Sequence, residues 1–228
     1  MSLFDDVRWP VISLVTDLSR FGSGQEAGDR LVKLVSEACV AGIDIIQIRE
    51  NDLSDRELVS LVGKVVAISQ KTETKVLVND RVDIAITAGA TGVHLKGGSH
   101  SAARVRRMAP AGWLIGRSVH GLEEANHVSD EGAVDYVTFG PVFETDSKPG
   151  ITPHGLTMLK RVVSAVEKPV LAIGGITVEK AGDVASSGVA GISAISLFSG
   201  RGEKEKPYAL ENLVGCIRTS FDRGRLAV

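Results

Sequence analysis

Short apolar runs alternate along the chain with longer segments whose apolar positions recur at intervals of three and four. The runs are Val11–Thr16, Ile43–Arg49, Val76–Asn79, Gly92–Leu95, Leu114–Ser118, Tyr136–Gly140, Val170–Ile173 and Ile192–Ile195. Most are continuously apolar, the pattern of parallel strands buried on both faces. Between them, Leu31, Leu34, Val35, Ala38 and Cys39 form one stripe of a helix, with Arg30, Lys33 and Glu37 on its other side. Leu58, Leu61, Val62, Val65 and Val66 form a second stripe, and Ser54 with Glu57 predicts a capping box at its start. Leu122–Gly132, Leu156–Val166 and Val178–Ser187 read as further helices. Gly42, Gly89, Gly132 and Gly188 stand where such segments close, as helix C-terminal caps do.

Strands alternating with helices predict βαβ units and a parallel sheet. Eight units in 228 residues predict an α/β fold, a closed (β/α)8 TIM barrel in one domain. An open doubly wound sheet is the competitor, but its G-x-G-x-x-G signature is missing after the first strand, which ends Thr16-Asp17-Leu18-Ser19. No linker or charge block divides the chain. The barrel is placed at residues 11–221, with residues 1–10 covering its floor and 222–228 a loose tail.

Composition narrows the class. With 43% hydrophobic residues, 24% charged residues and a net charge of -2, the chain is not of the disordered type. A pI near 6.2 gives no basic footprint for nucleic acid. No stretch has the apolar length of a membrane span, and MSLFDDVRWP lacks the apolar core of a secretion signal, so the expected setting is the cytoplasm. Cys39 and Cys216 read as small core hydrophobes in a reducing compartment. Trp9 and Trp113 suit a core or an interface, which leaves a homo-oligomer open.

Chemistry in this architecture gathers at the C-terminal ends of the strands. Those ends carry Gln47-Ile48-Arg49-Glu50-Asn51, Asn79-Asp80-Arg81, His94-Leu95-Lys96, Arg117-Ser118-Val119-His120, the long run from Gly140 to Lys148, Gly174-Gly175 and Ile195-Ser196. Gly174-Gly175 and the turn after Ile195-Ser196 follow the last two strands, the usual phosphate position of the fold. They also suit a plain tight turn. Arg49 and Lys148 are candidates for a second anion, against rim pairs with Glu50 or Asp146. Asp80 is a candidate Mg²⁺ ligand or a helix N-cap. The five histidines show no zinc-ligand spacing. His94, inside a strand, reads as a hydrogen-bonded structural residue, and His120, at a strand end, as an acid–base or orienting group.

Taken in order, Gln47-Ile48-Arg49-Glu50, Val78-Asn79-Asp80-Arg81-Val82-Asp83, Gly92-Val93-His94-Leu95, Gly140-Pro141-Val142-Phe143-Glu144-Thr145, Ala172-Ile173-Gly174-Gly175-Ile176 and Ile195-Ser196 resemble the thiamine phosphate synthase and thiazole tautomerase superfamily over roughly the whole chain. The resemblance implies a transferase that joins an aminopyrimidine methyl diphosphate to a thiazole phosphate and releases diphosphate. It implies that Gln47, Arg49 and Asn79 hold the pyrimidine diphosphate and that Asp80 holds Mg²⁺. Ser118, Thr145, Ser147 and Lys148 would line the reacting centre and bind diphosphate. Gly174, Gly175, Ile195 and Ser196 would hold the thiazole phosphate. The synthase pattern has a lysine where this chain has Asn51, and Gly-Gln-Glu-Asp where it has Lys96-Gly97-Gly98-Ser99. One metal carboxylate and one cation are therefore missing, and Lys96 is a candidate to restore the cation. The tautomerase reading draws on Gly116-Arg117-Ser118-Val119-His120 and Phe143-Glu144-Thr145-Asp146, but that branch places its histidine where this chain has Pro141. His120 is then the substitute base. Asp80, Pro141, Ser147 and Lys148 tip the balance to the synthase. A barrel that only binds thiazole phosphate, with a regulatory role, is the remaining alternative.

Overall fold

The computed structural model describes residues 10–147, 149–199 and 209–226. Each apolar run forms a strand: β1 Val11–Val15, β2 Ile45–Ile48, β3 Lys75–Asn79, β4 Gly92–Leu95, β5 Leu114–Val119, β6 Tyr136–Phe139, β7 Val170–Ile173 and β8 Gly191–Ala194. The strands are hydrogen-bonded in chain order into a closed barrel, with β8 parallel to β1. Helices lie between them: α1 Gly24–Val40, α2 Asp55–Ser69, α3 Val82–Thr87, α4 Ala102–Met108, α5 Leu122–Glu131, α6 Gly155–Ala165, α7 Ala181–Ala185, α8 Ser196–Ser199 and α9 Leu210–Leu226. The capping box opens α2, with Ser54 and Glu57 each bonding the other's backbone N–H. Gly42 ends α1 with φ 83°, the left-handed backbone that a side chain disfavours.

Alternate residues of each strand point inward. In the lower half these are apolar, and Val11, Ile45, Leu77, Leu114, Tyr136 and Leu171 fill the barrel floor from inside. The other face of the strands packs against the helix stripes, where Leu31, Val35, Val62 and Val65 are all fully buried. Trp113 is buried, while Trp9 lies outside the described residues.

Two carboxylates lock adjacent strands at the floor. Asp44 accepts from Ile12 N–H at 2.7 Å and pairs with Arg218 of α9 at 3.1 Å. Asp135 accepts from Ile115 N–H at 2.7 Å and pairs with Arg106 of α4 at 2.6 Å. Replacing Asp135 by alanine strands the Ile115 N–H, while Arg106 keeps the carbonyls of Trp113 and Ala133. Urea unfolding is expected to show a loss of about 1–3 kcal/mol, the range for an unmatched buried polar group. Glu26→Ala, which breaks only the exposed pair with Arg30, is expected to cost under about 0.5 kcal/mol. Equal losses for the two variants would contradict the lock.

The loose tail expected from Asp222 is corrected. Helix α9 continues through Leu226, because Leu213, Val214, Ile217 and Phe221 make a buried stripe and Arg218 ties the helix to the carbonyls of Pro10 and Gly42. Residues 1–9 of the expected floor segment, and residues 227–228, lie outside the described residues. Cys216 is also corrected: it is exposed on α9 rather than in the core, whereas Cys39 is buried.

Candidate active site

Above the apolar floor the inward positions turn polar and surround a cavity of about 410 Å³, a size that suits a small organic ligand. Gln47, Arg49, Asn79 and Lys96 line it from β2, β3 and β4. Ser118 and His120 line it from β5, Thr145 and Ser147 from the loop after β6, and Gly174, Gly175, Ile195 and Ser196 from the ends of β7 and β8. Lys148 lies outside the described residues. Asp80 sits beside the cavity, hydrogen-bonded to Lys96, rather than in its lining.

Arg49 does not form the rim pair with Glu50. The Glu50 carboxylate turns toward β1, where it accepts from the Thr16 hydroxyl and, at 2.9 Å, from Leu18 N–H. Burial pushes the Glu50 pKa up, and those hydrogen bonds only partly offset it. Thr16 Oγ1 also accepts from Arg49 N–H at 3.0 Å, which fixes the root of the arginine. Arg49 makes no ion pair among the described residues and lines the cavity wall, although its charge still acts on the Glu50 carboxylate.

Across the barrel, the cavity wall is backbone. Val142 N–H and Phe143 N–H donate to the carbonyls of Ile173 and Gly174 at 2.9 and 3.0 Å, zipping the loop after β6 to the end of β7. Lys180 caps the Gly175 carbonyl at 3.1 Å while its ammonium lies 4.4 Å from the centre of the Phe143 ring. Gly175 has φ 62°, and a Cβ there would lie 2.1 Å from the Glu144 carbonyl oxygen. Gly175→Ala is therefore expected to displace this wall and weaken binding of a phosphate monoester at least tenfold, measured by calorimetric titration. Unchanged binding would remove the wall from the anion site.

Asp80 is not the N-cap of α3. Arg81 occupies that position, and its guanidinium pairs with Asp55 and Asp83 away from the cavity. Asp80 instead adopts a left-handed backbone, φ 58°, unusual outside glycine. Its Oδ1 accepts from Lys96 N–H at 2.9 Å and its Oδ2 lies 3.1 Å from Lys96 Nζ. Burial opposes its ionisation, but these bonds and the Ser99 hydroxyl prevail and hold its pKa low. A resident Mg²⁺ needs free hard oxygens in near-octahedral array. Asp80 offers one carboxylate with both oxygens engaged, and no cluster of three His, Cys, Asp or Glu exists among the described residues. The donor set does not fit a resident metal.

Three further groups line the wall, one within β4, one within β6 and one on α5. His94 Nδ1 lies 3.0 Å from Tyr136 Oη and its Nε2 2.9 Å from Ser118 Oγ. It is thus hydrogen-bonded, as expected, and also faces the cavity. Burial depresses its pKa to about 4, with Arg117 adding to the effect and Asp80 opposing it, so the ring is neutral near pH 7. Thr138 Oγ1 is buried in the same wall without a hydrogen-bond partner. Glu124, from the first turn of α5, reaches back to His120, accepting from its N–H at 2.8 Å and lying 3.3 Å from its Nδ1.

Comparison with known proteins agrees with this arrangement. The profile of the thiamine monophosphate synthase family matches residues 14–198. A thiamine-phosphate synthase of Methanoculleus marisnigri is 39% identical over 191 residues, covering 83% of this chain and 88% of that one. One of Roseiflexus castenholzii is 37% identical over 181 residues, covering 78% and 79%. The solved structure of a thiamine phosphate pyrophosphorylase from Pyrococcus furiosus superposes with a TM-score of 0.78 at 31% identity, covering 92% of this chain and 96% of that one. With its barrel, its strand-end set and its relatives in agreement, the chain belongs to the thiamine monophosphate synthase family.

Proposed function

We propose that the protein is a thiamine-phosphate synthase, a transferase that joins the methylene of an aminopyrimidine methyl diphosphate to the ring nitrogen of a thiazole phosphate. The observation that carries this reading is the two-ended cavity. Arg49 at the end of β2 and Lys96 at the end of β4 stand on one part of the wall, and the glycine-lined ends of β7 and β8 on another. Two phosphorylated small molecules meeting in one barrel need two anion sites with a neutral polar space between them.

The chemistry follows from that layout. The carbon–oxygen bond to diphosphate breaks, and its electron pair leaves with the diphosphate. Arg49 and Lys96 meet the charge that grows on the departing oxygens, the place where fixed cations accelerate most. The pyrimidine methylene is left as a cation stabilised by its amino group. Gln47 donates to Asn79 Oδ1 at 3.1 Å, which leaves the Gln47 carbonyl to accept from that amino group. The thiazole nitrogen then supplies the electron pair of the new carbon–nitrogen bond. Anchoring its phosphate on the β7–β8 wall makes this a matter of position, for which effective concentration is the main gain. No proton has to move. Such charged substrates suit an enzyme of the cytoplasm.

One observation favours a second reading. The Glu124 carboxylate orients the His120 ring at the cavity, as a general base requires, and aromatisation of a thiazole carboxylate phosphate by proton transfer needs one. The assay that decides mixes both synthase substrates with the protein and follows thiamine phosphate and diphosphate together. The expected result is equal amounts of the two, neither formed when one substrate is left out. Diphosphate without thiamine phosphate would overturn the proposed transfer.

A further inference from the structure

We propose that the Lys96 ammonium takes the place of a divalent cation in this chain's diphosphate subsite, which therefore binds diphosphate without metal. The identity of the anion rests on the synthase reading, but the cation assignment rests on geometry.

Asp80 is the one carboxylate at the ends of β3 and β4, and Lys96 holds both of its oxygens. The left-handed turn at Asp80 directs that carboxylate across to β4 rather than to α3. The loop from Lys96 to α4 reads Lys96-Gly97-Gly98-Ser99-His100-Ser101 and contains no second carboxylate. Two of its carbonyls are drawn away from a substitute shell. Arg117, itself 8% exposed, draws the carbonyls of Gly97 and His100 toward its guanidinium, each at 2.7 Å. Glu124, the acid in the cavity wall, is committed to His120.

What this corner offers an anion is positive charge. The Lys96 side chain is 55% exposed, so its ammonium can turn toward a ligand while one N–H stays on Asp80. An ammonium has three donors, and two remain for diphosphate oxygens. Arg49 supplies a planar fork from the neighbouring wall, suited to bidentate contact with phosphate oxygens. A lysine point charge and an arginine fork together do the neutralising that a metal would do. Asp80 acts here as a positioning residue, keeping the ammonium over the end of β4.

The test is calorimetric titration of inorganic diphosphate into the intact protein, once in excess EDTA and once in millimolar Mg²⁺. The expected affinities agree within about threefold. Lys96→Met is expected to weaken binding at least tenfold in both buffers, the usual scale for a hydrogen bond to a charged group, while Lys96→Arg recovers most of it. Circular dichroism checks that each variant is folded. Loss of binding by the wild-type protein in EDTA, or wild-type affinity in folded Lys96→Met, would overturn the inference. A second variant, Lys96→Gly with Ser99→Asp, offers two carboxylates and is expected to make diphosphate binding Mg²⁺-dependent. The two readings fail separately. Thiamine phosphate formed only with Mg²⁺ would sink this inference and leave the synthase standing. Metal-free diphosphate binding with no product in any buffer would do the reverse.

Discussion

Replacing Arg49 by alanine is expected to lower kcat/KM for thiamine phosphate formation by about a factor of 10²–10³, the range for removing one electrostatic donor from a developing anion. The expectation follows from where the side chain stands. Thr16 holds the Arg49 backbone, Glu50 is turned to β1, and the guanidinium has no ion-pair partner among the described residues. Its positive charge is thus available to the ligand. Because charge on the departing oxygens rises along the reaction, most of the loss is expected in kcat, with a smaller rise in KM for the diphosphate substrate. Folding stability should barely change, since no structural partner is lost. Arg49→Lys keeps the charge but not the fork and should recover only part of the rate. A variant that loses rate and stability in proportion would show that Arg49 is a structural residue.

The second large effect is on stability in mild acid. His94 has a folded pKa of about 4 against an ordinary value of 6.5. Between those values the unfolded chain takes up a proton that the folded one refuses. The stabilisation is therefore complete above pH 6.5 and is lost as pH falls toward 4, by roughly 3 kcal/mol in total at 1.36 kcal/mol per pKa unit. Glu50 acts in the opposite sense, because burial raises its pKa and lets the folded state bind a proton before the unfolded one does. The His94 loss falls between about pH 6.5 and 4. Urea unfolding across this range, with wild type and His94→Gln compared, isolates the imidazole. The variant should give a flatter profile. An unchanged slope in His94→Gln would assign the acid sensitivity elsewhere.

The barrel is legible in the chain because its strands are buried on both faces and so read as continuous apolar runs. Strand ends differ from the expected ones by at most about two residues. Ile43, for instance, precedes β2 yet is as buried as the strand itself. Helix α9 was not among the expected elements; Gly215 and Gly224 lie within it without breaking it. At Gly224 the missing side chain instead admits the α7 backbone: a Cβ there would lie 2.6 Å from the Gly182 carbonyl oxygen.

For the site, position along a strand was legible and direction was not. Gln47, Arg49, Asn79, Ser118 and Ser196 line the cavity, whereas Glu50, Asp80 and Arg81, at the same strand ends, do not. Asp80 could be placed at the end of β3, but only the left-handed backbone decides that its carboxylate meets Lys96 rather than the first turn of α3. Thr138 and His94 were obscured by lying inside strands. The signal for both was the period of two, since each sits two residues below an end residue of the wall, Gly140 and Lys96 respectively. Glu124 had no local signal, because it reaches the cavity by folding back from α5 onto His120.

The most direct test of the account sets the two possible reactions side by side with one preparation of protein. In one tube the pyrimidine diphosphate and thiazole phosphate are supplied and thiamine phosphate is read as fluorescent thiochrome. In the other, thiazole carboxylate phosphate is supplied and its aromatisation is followed. The account predicts turnover in the first tube that depends on Arg49, and none in the second. Aromatisation that depends on His120, with no thiamine phosphate formed, would contradict it.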